Sequence, residues 1–591
     1  MAEKLPVWNL ADLYPSIDSP KIERDLKQLA KLAEQFAKKY KPPFERTAPK
    51  RLAEAVKEYE AISDLMGRLS SYADLEYSSN MADPKRAQFY QNMQESINQI
   101  SSQLIYFTLE LNKMSDRELK AKLSRSKELA HYVPWLRDIR SFRHYQLSDD
   151  LEKMLHEKQV VTHSWVRLFD ESVARMRFDV SGKTLTSAEA LDLLSSADAT
   201  KRKEAAKVIG TEFEKHKDQF ALITNTLAKD KSIEDNWRGF KQPISARNVS
   251  NRVEDAVVQA LLETVRANYG KLSHRYYAWK AKQFTRKTLD YWDRNAPLPS
   301  MPDVKIPWSD ARELVLSAYM AFSPELAKIG RQFFDKDWID VPVRAGKAPG
   351  AFAHPTVPSA HPYLLLNYQG KTRDVMTLAH ELGHGVHQVL AASQGALMAD
   401  TPLTLAETAS VFGEMLTFQE ILRRERNPAR RNSLIASKVE DMLNTVVRQT
   451  AFCEFERQVH AERKQGELTA GRIGEIWMSV QSESLGPAIK LYPEYSHYWM
   501  YIPHFIHSPF YVYAYAFGDC LVNSLYAVYQ KEAAGGADRA KAFERKYIEM
   551  LKAGGTLRHK ELLKPFGLDA TKADFWQKGL DVIAGYIDQL S

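Results

Sequence analysis

Cys453 and Cys520 are the only thiols in the chain. Neither has a partner at metal-ligand spacing, which argues against both a disulfide scaffold and a thiolate-bound zinc site. Glycine and proline are scarce too, 25 and 26 residues out of 591, too few for a collagen-like or low-complexity chain. An excess of one charge is also missing. The 82 Lys and Arg are interleaved with 75 Asp and Glu, and a net charge of +7 over this length leaves no basic patch of the kind nucleic acid requires. The opening MAEKLPVWNLADLYP never develops an apolar stretch, so no secretory signal is expected and the cytoplasm is the expected compartment. One run does lack charge: from Tyr498 to Gly518 there are 21 residues without Asp, Glu, Lys or Arg. Pro503, Pro509, His504 and His507 interrupt it, and it is built from Tyr and Phe, so a membrane span is not expected.

With 44% hydrophobic and 27% charged residues the chain reads as globular, and its periodicity is helical. Ser19-Pro20 is a helix start, after which Ile22, Leu26, Leu29, Ala33, Phe36 and Tyr40 fall on one face. Asp83-Pro84 opens a second helix, read as running through Ile97, Ile100, Leu104 and Phe107, and Ser115 with Glu118 has the form of a capping box. Met176, Phe178 and Val180 alternate before Ser181-Gly182, which predicts a hairpin. The chain is divided accordingly into an N-terminal helical domain, 1–200, and a larger domain, 201–591. Pro297, Pro299, Pro302 and Pro307 crowd a non-helical connection before helix resumes at Ser309. Gly346 to Pro362 is rich in Gly and Pro, and the apolar run Tyr363–Tyr368 after it reads as a strand of a small sheet.

His380-Glu381-Leu382-Gly383-His384 follows in a helical setting, with Asp374 or Thr372 as the expected cap. Four-residue spacing stacks the two imidazoles on one face, where they can bind one zinc ion, while Glu381 can reach a water there and serve as general base. A third protein ligand is needed. Positions 387 and 390 are His and Leu, which excludes the metzincin pattern, and Asp400, Glu407 and Glu414 are the carboxylates on offer. Thr404 and Glu407 have capping-box spacing, whereas Thr401-Pro402 as a helix start would put Glu407 inside the helix. Gly383 and Gly385 weaken a helix and suggest close approach of another backbone. His387 reads better as a buried, satisfied imidazole than as a ligand, and Asp374 and Glu414 as capping or solvated groups rather than as supports of the ligand imidazoles.

HELGHGVH, followed twenty-two residues after His384 by AETASVFGE, resembles the M3 family of zinc oligopeptidases, and in particular its oligoendopeptidase F branch. WNLADLYP, GAFAHPTVPSAHPYLLLNYQGKTRDVMTLAHELGH and PHFIHSPFYVYAYAFG extend the likeness along nearly the whole chain, in the same order. The resemblance implies a mainly α fold, an elongated helical body with a deep substrate channel and a small β-sheet near the zinc helix, and makes 201–591 the catalytic domain. It implies one Zn2+ per chain on His380, His384 and Glu407, with Glu381 activating water for hydrolysis of internal bonds of short unstructured peptides. His504 and Tyr511 are then the expected catalytic donors to the scissile carbonyl, and Tyr513, Tyr515, Gly350 and Phe352 the expected substrate contacts. His507 departs from the usual residue and is given no role. The competing functions are a zinc carboxypeptidase or dipeptidase on a related scaffold, and a silent peptide-binding protein, which has no need of Glu381. No nucleic-acid or membrane partner is expected, and the oligomeric state is not legible.

Overall fold

Ser19 accepts the N–H of Lys21 ahead of Pro20, and the helix Pro20–Lys39 follows with Ile22, Leu29, Ala33 and Phe36 buried along one face. The computed structural model describes residues 5–298 and 305–590, so Pro299 and Pro302 lie outside the described residues. Helices carry most of the chain. The helix opened by Asp83 ends at Ser102, and a separate one, Ile105–Lys113, carries Phe107, so the single helix expected there is two. The capping box at Ser115 and Glu118 forms. So does the hairpin: Phe178–Val180 pairs antiparallel with Lys183–Leu185 across Ser181 and Gly182, whose φ values of 51° and 75° are those of the turn that matches strand twist.

Contacts group the chain into two compact units, each discontinuous in sequence: Met1–Arg143 with Asp303–Arg424 and Val528–Leu568, and His144–Pro302 with Glu425–Ala527 and Asp569–Ser591. This grouping divides the chain differently from a single boundary at residue 200. The second unit is organised on the 40-residue helix Ala199–Arg238, against which Asp149–Arg175, Val447–Arg463, Ala470–Leu485 and the 3-10 segment Pro493–Tyr501 pack. The uncharged run lies in this irregular and helical mixture, and no helix among the described residues is long and apolar enough to cross a membrane.

The first unit holds the only three-stranded sheet among the described residues, in the order Ile339–Pro342, Tyr363–Tyr368, Phe352–His354. The middle strand is the apolar run read from the sequence. It pairs parallel with the first strand and antiparallel with the edge strand, Ala353 facing Leu364. The helix Thr372–Ala391 follows directly. Its cap is Lys371 rather than Thr372 or Asp374. Asp374 lies one turn in and folds back, its Oδ2 accepting the N–H groups of Gln369 and Lys371 at 2.8 and 3.0 Å. Ser410–Arg424 packs along this helix, and Trp308–Phe322, Pro324–Asp335 and Ala537–Lys552 complete its surroundings.

A Cβ placed on Gly383 would stand 2.5 Å from the Ala409 carbonyl oxygen and 2.6 Å from the Ser410 Cα. Two backbones therefore touch at this position, as the glycine suggested. At Gly385 the close neighbour is a side chain instead, the Phe333 ring at 2.6 Å. Gly383→Ala should lower the free energy of unfolding by about 1–3 kcal/mol, the cost of overpacking exceeding the roughly 1 kcal/mol gained in helix propensity. The shift of a denaturant midpoint measures it, and an unchanged or raised midpoint would show that the two segments separate freely.

Candidate metal centre

One helical turn brings the His380 and His384 rings to 4.9 Å between centroids, edge to face. Glu407 meets them from across the Gly383 contact: its Oε2 is 3.4 Å from His380 Nε2 and 3.5 Å from His384 Nε2. Glu407 is neither a helix-start residue nor inside a helix. The short turn Leu403–Ala406 ends on it and the helix Ser410–Arg424 begins beyond it, so the carboxylate projects from a break. Ser410 Oγ donates to Glu407 Oε2 at 2.7 Å and fixes its direction.

These three ligating atoms lie within 4.8 Å of one another, and they are the one such His/Cys/Asp/Glu cluster among the described residues. Tetrahedral zinc with bonds of about 2.0–2.1 Å holds its ligand atoms about 3.3–3.4 Å apart, so the donor set fits that ion in both chemistry and spacing. Each imidazole is also held from behind. Glu414 Oε2 stands 3.4 Å from His380 Nδ1, and the Ala406 carbonyl takes a hydrogen bond from His384. Glu414 thus supports the His380 imidazole, whereas Asp374 folds back on the helix start.

The field is anionic. Burial pulls the His380 imidazole down, but its bond to Glu414 and the charges of Glu407, Glu381 and Glu414 outweigh that and hold it at about 9. A place that keeps a proton so firmly on an imidazole favours a cation. Burial lowers His384, against the pull of Glu407, and His380 lowers it further. Glu381 is buried, which pushes its carboxyl up to about 7, with the charge of His380 and the N–H of Ala353 on the edge strand pulling the other way. His387 is buried and bonded to the Leu551 backbone; burial, and then the charge of His384, push it down to about 4, so it is a neutral packed imidazole.

Of the expected substrate contacts in this unit, Phe352 is half-buried in the edge strand with its ring 6.4 Å from Trp8, and Gly350 sits at φ 78° with its carbonyl accepting from Asn367. The remaining expected residues belong to the second unit. There His504, Tyr511 and Tyr515 gather: the His504 ring is 5.9 Å from each tyrosine, the tyrosine rings are 5.3 Å apart, and Tyr515 Oη is 3.4 Å from His504 Nε2. Tyr511 precedes the helix Tyr513–Ala534 rather than lying on it. Tyr513 is fully buried and its hydroxyl accepts from Asn251 at 2.9 Å, a packing position that offers a substrate no surface. His507 pairs at the surface with Asp170, Nε2 to Oδ1 at 2.7 Å. Three supports escaped the sequence reading: Ser410, the Ala406 carbonyl and the Ala353 N–H. The last two are backbone groups and have no sequence signal.

Comparison with known proteins agrees with this geometry. The family described as "Peptidase family M3" matches residues 318–582, and that described as "Oligopeptidase F" matches 110–178. Oligopeptidase PepF of Bacillus subtilis is 25% identical over 96% of this chain and 84% of its own, and an oligoendopeptidase F homolog of Borreliella burgdorferi 28% identical over 87% and 86%. Among solved structures, a Chlamydophila abortus protein superposes with a TM-score of 0.86 at 22% identity, over 99% of this chain and 97% of its own. Oligoendopeptidase-F of Enterococcus faecium does so with 0.70 at 20%, over 96% and 98%. At such identities the superpositions establish the fold, and the sequence matches, which include the HExxH helix and Glu407, carry the lineage: the chain belongs to peptidase family M3, in its oligoendopeptidase F branch, and is a metallopeptidase.

Proposed function

We propose that the chain is a zinc endopeptidase that hydrolyses internal bonds of short, flexible peptides, with one zinc per chain held by His380, His384 and Glu407. The observation that carries this is the convergence of those three ligand atoms within 4.8 Å beside the buried carboxyl of Glu381. Zinc bound there supplies Lewis acidity, polarising a carbonyl and making water easier to deprotonate. Everything else is work for the chain's own groups. Glu381 accepts the proton of the attacking water, and burial sets its basicity near neutrality, where a general base is most useful. Glu414 and the Ala406 carbonyl keep the two imidazoles turned toward the metal position. Relatives named oligopeptidase and oligoendopeptidase support the substrate class. The buried free thiols Cys453 and Cys520 suit a reducing compartment, and we place the enzyme in the cytoplasm.

His504 and Tyr511 act, on this reading, as donors to the carbonyl oxygen as it gains charge. The family resemblance and their gathering with Tyr515 in one cluster support the assignment. Burial, and then the charges of Arg448 and His507, hold the His504 imidazole below its ordinary value, which keeps it neutral and able to donate from one ring nitrogen.

Metal content of Glu407→Ala checks the ligand set: zinc per chain should fall from one to well below half, and full occupancy would move the third ligand elsewhere. Turnover of an internally quenched peptide with an amidated C-terminus tests the activity. The parent should cut it, which a carboxypeptidase does not do internally, and Glu381→Gln should retain zinc yet lose about 10²–10⁴-fold in kcat. Parental turnover in that variant would remove Glu381 from the mechanism. His504→Phe should lower kcat by roughly 10²–10³ with little change in KM and none in zinc, because a donor to the oxyanion strengthens only as charge develops. A rise in KM alone would make it a ground-state contact.

A further inference from the structure

Phe510 lies in the segment that joins His504 to Tyr511 and the helix Tyr513–Ala534, and its backbone has φ 60°, the left-handed region that a bulky residue avoids. The strain is held by contacts to a single peptide group. The Phe510 N–H donates to Glu456 Oε1 at 2.7 Å, and the carbonyl of the same peptide unit, Pro509 O, accepts from Arg247 Nε at 3.2 Å. Arg247 comes from the helix Ser245–Ser250 and Glu456 from Val447–Arg463, so two separate elements grip opposite edges of one peptide plane. The Arg247 guanidinium also lies 5.9 Å over the Tyr511 ring.

Glu456 has no other bond to explain its burial. It is 2% exposed, its Oε2 has no hydrogen-bond partner among the described residues, and His460, four residues on along the same helix, is a buried imidazole packed 4.9 Å from the Phe510 ring. Burying a carboxyl among such neighbours is costly, and one hydrogen bond to a backbone N–H is its visible return. We propose that Glu456 and Arg247 are positioning residues that pin the Pro509–Phe510 peptide group in its strained orientation, and thereby set His504 and Tyr511 face to face. Release of that peptide would let Phe510 leave the left-handed region, and an uncompensated change in its φ re-aims Tyr511, the next residue, away from His504, so without the grip the cluster disperses. The inference rests on the reading that His504 and Tyr511 serve the transition state.

Burial pushes the Glu456 carboxyl to about 8, against the pull of the Phe510 N–H and the charges of Arg247 and Lys231, so it is largely neutral at pH 7 and an amide is a near replacement. Glu456→Gln keeps the acceptor for Phe510 and should keep kcat within about threefold of the parent. Glu456→Leu removes it and should lower kcat by about 10–100-fold, with KM and zinc content unchanged, as expected for misplaced catalytic groups. Arg247→Met, at a half-buried position, attacks the same peptide from its other edge and should lower kcat in the same way, which keeps the test open if Glu456→Leu does not fold. Parental kcat in both Glu456→Leu and Arg247→Met overturns the proposal, as does an equal loss in the Gln and Leu variants. If His504→Phe and Tyr511→Phe leave kcat unchanged, the reading beneath it has failed; if they lower kcat while the Glu456 and Arg247 variants do not, only the clamp has.

Discussion

The bare backbone of Gly383 against Ala409 and Ser410 governs the candidate metal centre. Histidines four apart define a direction along a helix but not a third ligand, because nothing on one helix can close a tetrahedral set around an ion beside it. The third donor must come from a second segment, and side chains at the crossing would hold that segment too far off for a glutamate to touch both imidazoles. Removing one Cβ lets the break after Ala406 sit directly on the helix. Tyr547 then donates to the Thr408 carbonyl and Tyr319 to the Ala379 carbonyl, tying each partner of the crossing to the surrounding helices.

Much of the site's electrostatics follows from that proximity. Three carboxylates, Glu381, Glu407 and Glu414, surround His380 in a buried setting, an arrangement that repels further negative charge and rewards a cation. The same burial separates the roles of chemically identical groups. Glu407 is pinned by Ser410 and faces two imidazoles, whereas Glu381, one residue from His380, is bonded to the Ala353 N–H and is left basic by its burial. On the proposed reading, a ligand and a base are thus distinguished by where the surrounding polar groups point.

The parts of this architecture carried by side-chain spacing were legible in the sequence. His380, His384 and the capping box at Ser115 are fixed-offset patterns on regular helices, and the hairpin at Ser181-Gly182 is a matter of two backbone angles. Glu407 was not, because it occupies a helix break, where periodicity carries no information; only the resemblance singled it out from Asp400 and Glu414. The first strand of the sheet was missed because Asp340 interrupts its apolar pattern. In the fold that carboxylate is fully buried against Lys347, its Oδ1 2.7 Å from Nζ, and against Arg344, so the charge is internal rather than a sign of solvent. Glu456 was invisible for a similar reason: among Glu454, Arg457 and Arg463 it reads as one more charge on a solvated helix face. The helix cap, expected at Thr372 or Asp374, is Lys371, one residue before the first of these, and Asp374 reaches backward to the cap backbone instead of standing at the cap itself.

The edge strand Phe352–His354 tethers the Glu381 carboxyl through the Ala353 N–H, and a strand alternates its faces with every residue. Insertions or deletions in the connection 355–362 can change its length without consequence for Glu381, since pairing with Tyr363–Tyr368 sets where Ala353 lies. A single residue gained or lost inside the strand is different: it would turn the neighbouring N–H away and present a carbonyl or a side chain to a buried carboxylate. Length variation among related chains should therefore collect in that connection and spare the three residues before it.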